Sequence, residues 1–357
     1  VTLIGADPEA FILHGKDKTP VPAHERGFPP KALPLRTDQG KLIRDGYAVE
    51  FNPTVQSCRY ILSNVFYALM RNAAKRLQPG DGLYTHSTIE IDPATLEDAP
   101  SDVAEFGCEG AWNAYIGSLC KPEIHGPTHP YRYSGGHFHQ SVGRAAETYV
   151  SWAKKLENVF LWAKMQDRYT GLISTYLTGS ELSALRRRYY GQAGEFRLQD
   201  HGAEYAASLE YRTPGSEVFG HPAVLSLCLG LFRHIYEYFD QFKDSYDPTK
   251  EAQVRDAINA GVSHDDLLDL IPELPGWYSH KVLKLTRKKI APLMHQDLVP
   301  NLDGYMLHTG QRGGWLEWCQ SLGWNHYRDD YRSNDDRPLE MTEKLLKKNL
   351  KWEKEVA

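Results

Sequence analysis

The apolar positions fall into two rhythms. Residues 1–13 open on a short apolar run and predict a strand, as do 46–53, which end at Pro53, then 83–91 and 207–213. Between them, apolar residues at 58, 61, 62, 65, 66 and 69 repeat with helical spacing. Positions 149, 152, 153, 156, 160 and 163 form a second amphipathic helix. Pro222 suits a first helical turn, and residues 223–239 are apolar on most sides, which predicts a buried helix. Residues 14–45 carry prolines at 20, 22, 29, 30 and 34 and read as a long irregular loop of the kind that often serves as a lid. From about 245 the pattern turns to short helices and aromatic-rich loops, with a helix cap at Ser263 and Asp266 and a charged amphipathic tail from 341. Strands separated by helices without a βαβ rhythm predict an α+β fold rather than a doubly wound one.

Composition narrows the class. The 357 residues are 41% apolar and 24% charged, enough to bury a sizeable core, so disorder is excluded for the bulk of the chain. A net charge of −5 offers no general attraction to nucleic acid or anionic membranes, so neither partner is expected. The longest uncharged run, Val218–Phe232, contains Gly220, His221 and Pro222 and is shorter than the ~20 residues a bilayer span needs. The opening Val1–Asp7 has neither a basic stretch nor a cleavable apolar one, which sets a cytoplasmic expectation. The cysteines at 58, 108, 120, 228 and 319 are scattered and form no CxxC pair. Reduced thiols and no zinc–thiolate site are therefore expected.

Three segments share a geometry. Asp7-Pro8-Glu9, His137-Phe138-His139 and Glu210-Tyr211-Arg212 each place two polar groups at i and i+2. On a strand those positions share a face, while Pro8, Phe138 and Tyr211 face the other way. Glu50, between Val49 and Phe51, behaves alike. A single such pair is most often a solvated strand face. If the strands lie side by side, one face gathers the carboxylates of Asp7, Glu9, Glu50 and Glu210 with two imidazoles and a guanidinium. Carboxylates so crowded cannot all ionise without compensation, and hard divalent cations supply it most simply. Oxygen ligands with an occasional histidine suit Mg²⁺ or Mn²⁺. A basic segment, Arg186 to Arg197 with glycines at 191 and 194, is a further candidate for anion contact; a solvated basic turn is an equally good reading. No Walker-type, GxGxxG or GxSxG motif occurs.

At these residues the chain resembles glutamine synthetases. Gly136-His137-Phe138-His139-Gln140-Ser141 is similar to their histidine strand, Gly5-Ala6-Asp7-Pro8-Glu9-Ala10-Phe11 to their early acidic strand and Glu210-Tyr211-Arg212 to their late E-x-R strand, in the same order. It resembles more closely the phage-type carboxylate–amine ligase family, type 2, of the glutamine synthetase-like superfamily. The blocks Gly46–Pro53, Gly107–Tyr115, Gly135–His137 and Tyr190–Arg197 carry that likeness, which covers roughly residues 1–240.

The resemblance implies a curved, mainly antiparallel sheet with helices on its convex face over 1–244, and a mainly helical addition over 245–357. It implies ATP and Mg²⁺ on the concave face, with a carboxylate phosphorylated by ATP and then attacked by an amine. The substrates would be small-molecule or peptide carboxylates and amines. Carried over by position, Asp7, Glu9, Glu50, His137 and Glu210 are metal ligands, and His139 and Ser141 meet the nucleotide. Arg212 and Arg197 meet the transferred phosphoryl group, with Glu50 also in a catalytic role. Arg188 and Lys31 are further anion contacts, and Glu109 and Glu195 are candidate bases. Two alternatives remain at this stage: a kinase acting on a guanidino or carboxylate group on the same sheet, and a non-catalytic phage-encoded binding protein.

Overall fold

The computed structural model describes residues 3–97, 99–106, 110–121, 124, 126–144, 155–199, 206–271 and 280–305. Its strands are β1 (Ile4–Ala6), β2 (Glu9–His14), β3 (Thr19–Val21), β4 (Leu35–Thr37), β5 (Gly40–Asp45), β6 (Ala48–Pro53), β7 (Asp81–Tyr84), β8 (Thr88–Glu90), β9 (Ala111–Asn113), β10 (Ser118–Cys120), β11 (Tyr131–Tyr133), β12 (Phe138–Arg144), β13 (Glu195–Gln199) and β14 (Ala206–Tyr211). The first sheet runs β1-β12-β14-β13-β9-β10 and the second β3-β2-β6-β5-β4, with β7 also on β2. Strands β8 and β11 pair separately, and the pairings between these strands are antiparallel. The fold is thus mixed helix and sheet, with a curled antiparallel sheet backed by helices.

Alternation along the strands builds the core. Phe138, Phe196, Leu209 and Tyr211 are buried on one face of the first sheet, against the helices Leu156–Gln166 and Pro222–Glu237. Tyr211 and Phe232 stack at 6.1 Å, Trp162 meets Tyr211 edge-on at 6.2 Å, and Phe138 lies 5.4 Å from Phe232. The Pro222–Glu237 helix is buried, as its all-round apolar pattern predicts. Pro222 occupies its first turn, and His221 Nδ1 accepts the Ala223 N–H at 3.2 Å. Burial brings that imidazole down to about 4, so it is neutral and able to accept.

The first predicted strand is two. The chain runs along Gly135–Gln140 throughout, but passes from the first sheet to the second at Asp7-Pro8. Asp7 N–H donates to His137 O at 3.3 Å and Glu9 N–H to Gly135 O at 3.1 Å. Pro8 brings no N–H to the ladder, and its carbonyl accepts from Phe51 N–H at 2.9 Å.

Residues 14–45 are not the irregular loop that their prolines suggest. They hold β3, a 3₁₀ turn at Ala23–Arg26, β4 and β5, with the prolines confined to an edge strand, a turn start and the connection before β4. The 83–91 segment likewise splits into β7 and β8. The Ser263–Asp266 capping box forms as read. Val254, Ile258, Leu267, Leu283, Leu298 and Leu302 join the same apolar cluster as Trp162 and Phe232. The tail from 341 and residues 145–154 lie outside the described residues. Among the described residues, no helix is long and apolar enough to cross a membrane.

Asp81 ties the second sheet together. It accepts from Arg26 Nε at 2.7 Å and Gln78 N–H at 2.8 Å, with His14 Nδ1 at 2.8 Å. Its carboxyl is covered, and burial alone would raise it, but these partners hold it at about 2. A depressed carboxyl contributes stability above its unfolded value near 4 and loses it as pH falls toward 2. Asp81→Asn is therefore expected to cost about 1–2 kcal/mol at neutral pH, and the difference from wild type to shrink between pH 4 and 2, as read by urea denaturation.

Candidate functional site

The face opposite the aromatic core carries the polar members of each i, i+2 pair. In register across the sheet, His139 lies opposite Glu210 and Glu210 opposite Arg197. His137 and Arg212 follow on the same face, and Asp7 reaches the group from the seam between the two sheets. In the second sheet Glu9 lies opposite Glu50. The proposed convergence of distant acidic and imidazole segments is therefore present.

Its centre is Asp7, His137 and Glu210, each offering one ligand atom, with these atoms all within 4.8 Å of one another. His137 Nδ1 lies 3.0 Å from Asp7 Oδ1 and 3.3 Å from Glu210 Oε1, and His139 Nε2 lies 3.2 Å from Asp7 Oδ1. His137 is 3% exposed and Glu210 1%. Asp7 Oδ1 is thus buried between two imidazole nitrogens. Burial raises the Asp7 carboxyl, but His137 and His139 outweigh it and hold it below the usual range. Burial and the nearby Arg212 bring His137 down to about 4, so the ring is neutral near pH 7. Burial opposes charging of His139, yet Asp7 raises it overall. Two carboxylate oxygens and one imidazole nitrogen form a donor set that fits Mg²⁺ or Mn²⁺.

Glu210 is held from several sides. Arg212 Nη1 pairs with its Oε1, Gln199 Nε2 donates to its Oε2, and Arg197 Nη1 stands 3.9 Å from Oε1. Burial would raise Glu210, and Arg212 leads the charges that lower it. Arg212 Nη2 donates to Tyr190 Oη at 2.9 Å, so most of its fork is spent inside the protein. Arg197 is partly exposed and gives Nε to Gly110 O at 3.3 Å.

A second acidic group sits beside the first. Glu9 Oε2 accepts from Gly135 N–H at 2.9 Å, and Glu50 Oε1 accepts from Asn52 Nδ2 at 2.8 Å. Burial, then Asp45 and Asp7, push Glu50 up to about 8. Burial, then Asp45 and Glu50, raise Glu9. Asp45 is raised by burial, with Lys31 opposing. Glu9, Asp45, Glu105, Phe106, Tyr133 and Tyr190 are among the residues lining a narrow cleft open to solvent. Asp45 and Tyr190 went unassigned in the sequence. On β5, Asp45 shares the face of Ile43, which lies opposite Glu50; the loop expected over 14–45 hides that placement in the sequence.

Other candidates stand apart. Ser141 Oγ accepts from Leu3 N–H at 2.9 Å and so anchors β1 to β12. Arg186 and Arg187 are buried; Arg186 gives its fork to Thr213 O and Arg212 O at 3.2 Å, and Arg187 donates to Thr175 Oγ1 at 3.1 Å. Arg188 is exposed. Lys31 is exposed and acts on Asp45 and Glu50 through its charge. Glu195 is buried, with Oε2 accepting from Gly191 N–H at 3.0 Å. Glu109 lies outside the described residues.

The sequence matches no family model and no curated protein. Among solved structures, the chain is similar to the crystal structure of a bifunctional glutathione synthetase from Pasteurella multocida. Identity is 12% and the TM-score 0.43, over 84% of this chain and 49% of that one. The chain thus spans about half the length of that protein, and at so low a score no assignment rests on the likeness.

Gly135 is required by the site. A Cβ there would lie 2.3 Å from His137 Nε2, and the ring has little room to retreat because Tyr190 Oη holds that nitrogen at 2.7 Å. Gly135→Ala is expected to destabilise the fold by about 1–3 kcal/mol in urea denaturation and to shift the His137 resonances in NMR spectra.

Proposed function

We propose that this chain is an ATP- and magnesium-dependent carboxylate–amine ligase of glutamine synthetase-like type, forming an amide or peptide-like bond through an acyl phosphate. The observation that carries the reading is the convergence of one ligand atom each from Asp7, His137 and Glu210 within 4.8 Å of one another, beside the Glu9, Glu50 and Asp45 carboxyls. Carboxyl groups this crowded ionise together only with compensation, which cations supply, and ATP adds about four more negative charges to balance. In this reading Asp7, His137 and Glu210 hold one divalent ion, and Glu9 and Glu50 serve a further one.

Bound Mg²⁺ would neutralise phosphate oxygens and ease charge on the phosphoryl group in transfer. The residues do the rest. His139, on the same row as Glu210, faces the nucleotide, and the partly exposed Arg197 meets the transferred phosphoryl group. Arg212 acts chiefly by fixing the Glu210 carboxylate, since its fork already serves Glu210 and Tyr190. The cleft beside Glu9, Asp45 and Tyr190 receives the carboxylate and amine substrates. An amine attacks only as the free base, so a carboxylate at that cleft takes its proton.

Incubation with Mg-ATP and a panel of acid–amine pairs tests this. ADP should appear only when both substrates of the correct pair are present, with a condensed product by mass spectrometry. Asp7→Asn and Glu210→Gln should each lower turnover at least ~100-fold and abolish metal-dependent nucleotide binding. A phosphorylated product without amine incorporation would instead identify a kinase. No rise in melting temperature at saturating Mg-ATP would sink both enzymatic readings, because a ligand that binds the native state must stabilise it.

A further inference from the structure

Tyr190 follows the Glu181–Arg187 helix and is buried. Its Oη lies 2.7 Å from His137 Nε2 and 2.9 Å from Arg212 Nη2. The ring meets His137 edge-on at 5.6 Å, and the guanidinium groups of Arg186 and Arg212 lie 4.6 and 5.1 Å from its centroid. Its backbone N–H donates to Arg186 O at 2.8 Å. At the next residue, Gly191 has φ +65°, and a Cβ there would lie 2.2 Å from Arg186 Nη1. Tyr190 is thus clamped with its hydroxyl between an imidazole and a guanidinium.

That hydroxyl bears on what His137 can do. A neutral imidazole carries one proton, and the hydrogen bond made by one nitrogen decides the state of the other. With the proton on Nδ1, the ring donates toward Asp7 and Glu210 and has no lone pair there for a cation. With the proton on Nε2, the Nδ1 lone pair faces two carboxylate oxygens, an arrangement that a bound cation relieves. The Tyr190 oxygen suits either state. It can give its proton to Nε2, or accept from Nε2–H while also accepting from Arg212.

We propose that the Tyr190 hydroxyl is the reversible hydrogen-bond partner that sets the His137 tautomer: a donor to Nε2 when the Asp7–His137–Glu210 site is empty, and an acceptor from Nε2–H when a divalent cation takes the Nδ1 lone pair. Tyr190 is a positioning residue, and through Arg212 the same oxygen ties the orientation of the ligand histidine to that of the arginine pairing with Glu210. The proposal rests on the metal reading of that triad.

Tyr190→Phe tests it in the full chain, since it keeps the ring between Arg186 and Arg212 and removes only the hydroxyl. Mn²⁺ alone, titrated by electron paramagnetic resonance, should bind the variant about 10–100-fold more weakly than wild type, the usual consequence of losing a partner behind a ligand histidine. In ¹⁵N-histidine NMR of wild type, saturating Mg²⁺ should move His137 from the Nδ1–H to the Nε2–H form. This second measurement needs no variant. Undiminished Mn²⁺ affinity in Tyr190→Phe, or a wild-type ring that keeps its Nδ1 proton under saturating Mg²⁺, overturns the role of Tyr190 alone. Absence of Mn²⁺ binding to wild type overturns the metal reading and this proposal with it.

Discussion

Buried carboxyl groups facing one another are the constraint to which this architecture answers. Asp7, Glu9, Asp45, Glu50 and Glu210 lie on the working side of two joined antiparallel sheets, where burial and mutual repulsion oppose ionisation. Arg212 compensates Glu210 directly, and the two histidines hold Asp7 ionised. Glu9, Asp45 and Glu50 are raised instead, because burial and their neighbours' negative charge favour the neutral form. Such crowding is tolerable because the reverse face is densely packed. Tyr211, Phe138 and Phe196 lie between the polar residues along their strands and seat them on the helices behind. The core supplies the rigidity that keeps these acidic groups close on the working face.

The seam at Asp7-Pro8 gives the site its two-part form. Asp7 belongs with the histidine strand, and Glu9 with the second sheet opposite Glu50. A proline suits this place because a strand leaving one ladder for another has no use for an N–H there. Gly135 completes the junction: its amide donates to Glu9, and its missing Cβ makes room for His137. Two acidic clusters are thereby kept adjacent on a single stretch of backbone.

The basic segment shows the limit of reading composition as surface. Three consecutive arginines resemble an anion-binding turn, yet Arg186 and Arg187 fold beneath the site and hold the carbonyls of Arg212 and Thr213 and the hydroxyl of Thr175. Helical geometry turns successive residues about 100° apart, so three neighbours cannot share one exposure. Only Arg188 of the three faces solvent. Asp45 is the converse case. Proline-rich surroundings hid its strand, although prolines are tolerated at edges and turns of just this kind.

Period-two alternation made the polar and apolar faces of the strands legible without coordinates, because side chains on extended backbone must alternate. The same holds for the buried Pro222–Glu237 helix, whose apolar residues run all the way round. Which strands lie side by side is a different matter. His139 meets Glu210 and Glu210 meets Arg197 only because β14 lies between β12 and β13, and Asp7 joins them only through β1 on the far side of β12. Neighbour order and register between segments many residues apart come from packing the whole core at once, and no local pattern encodes them.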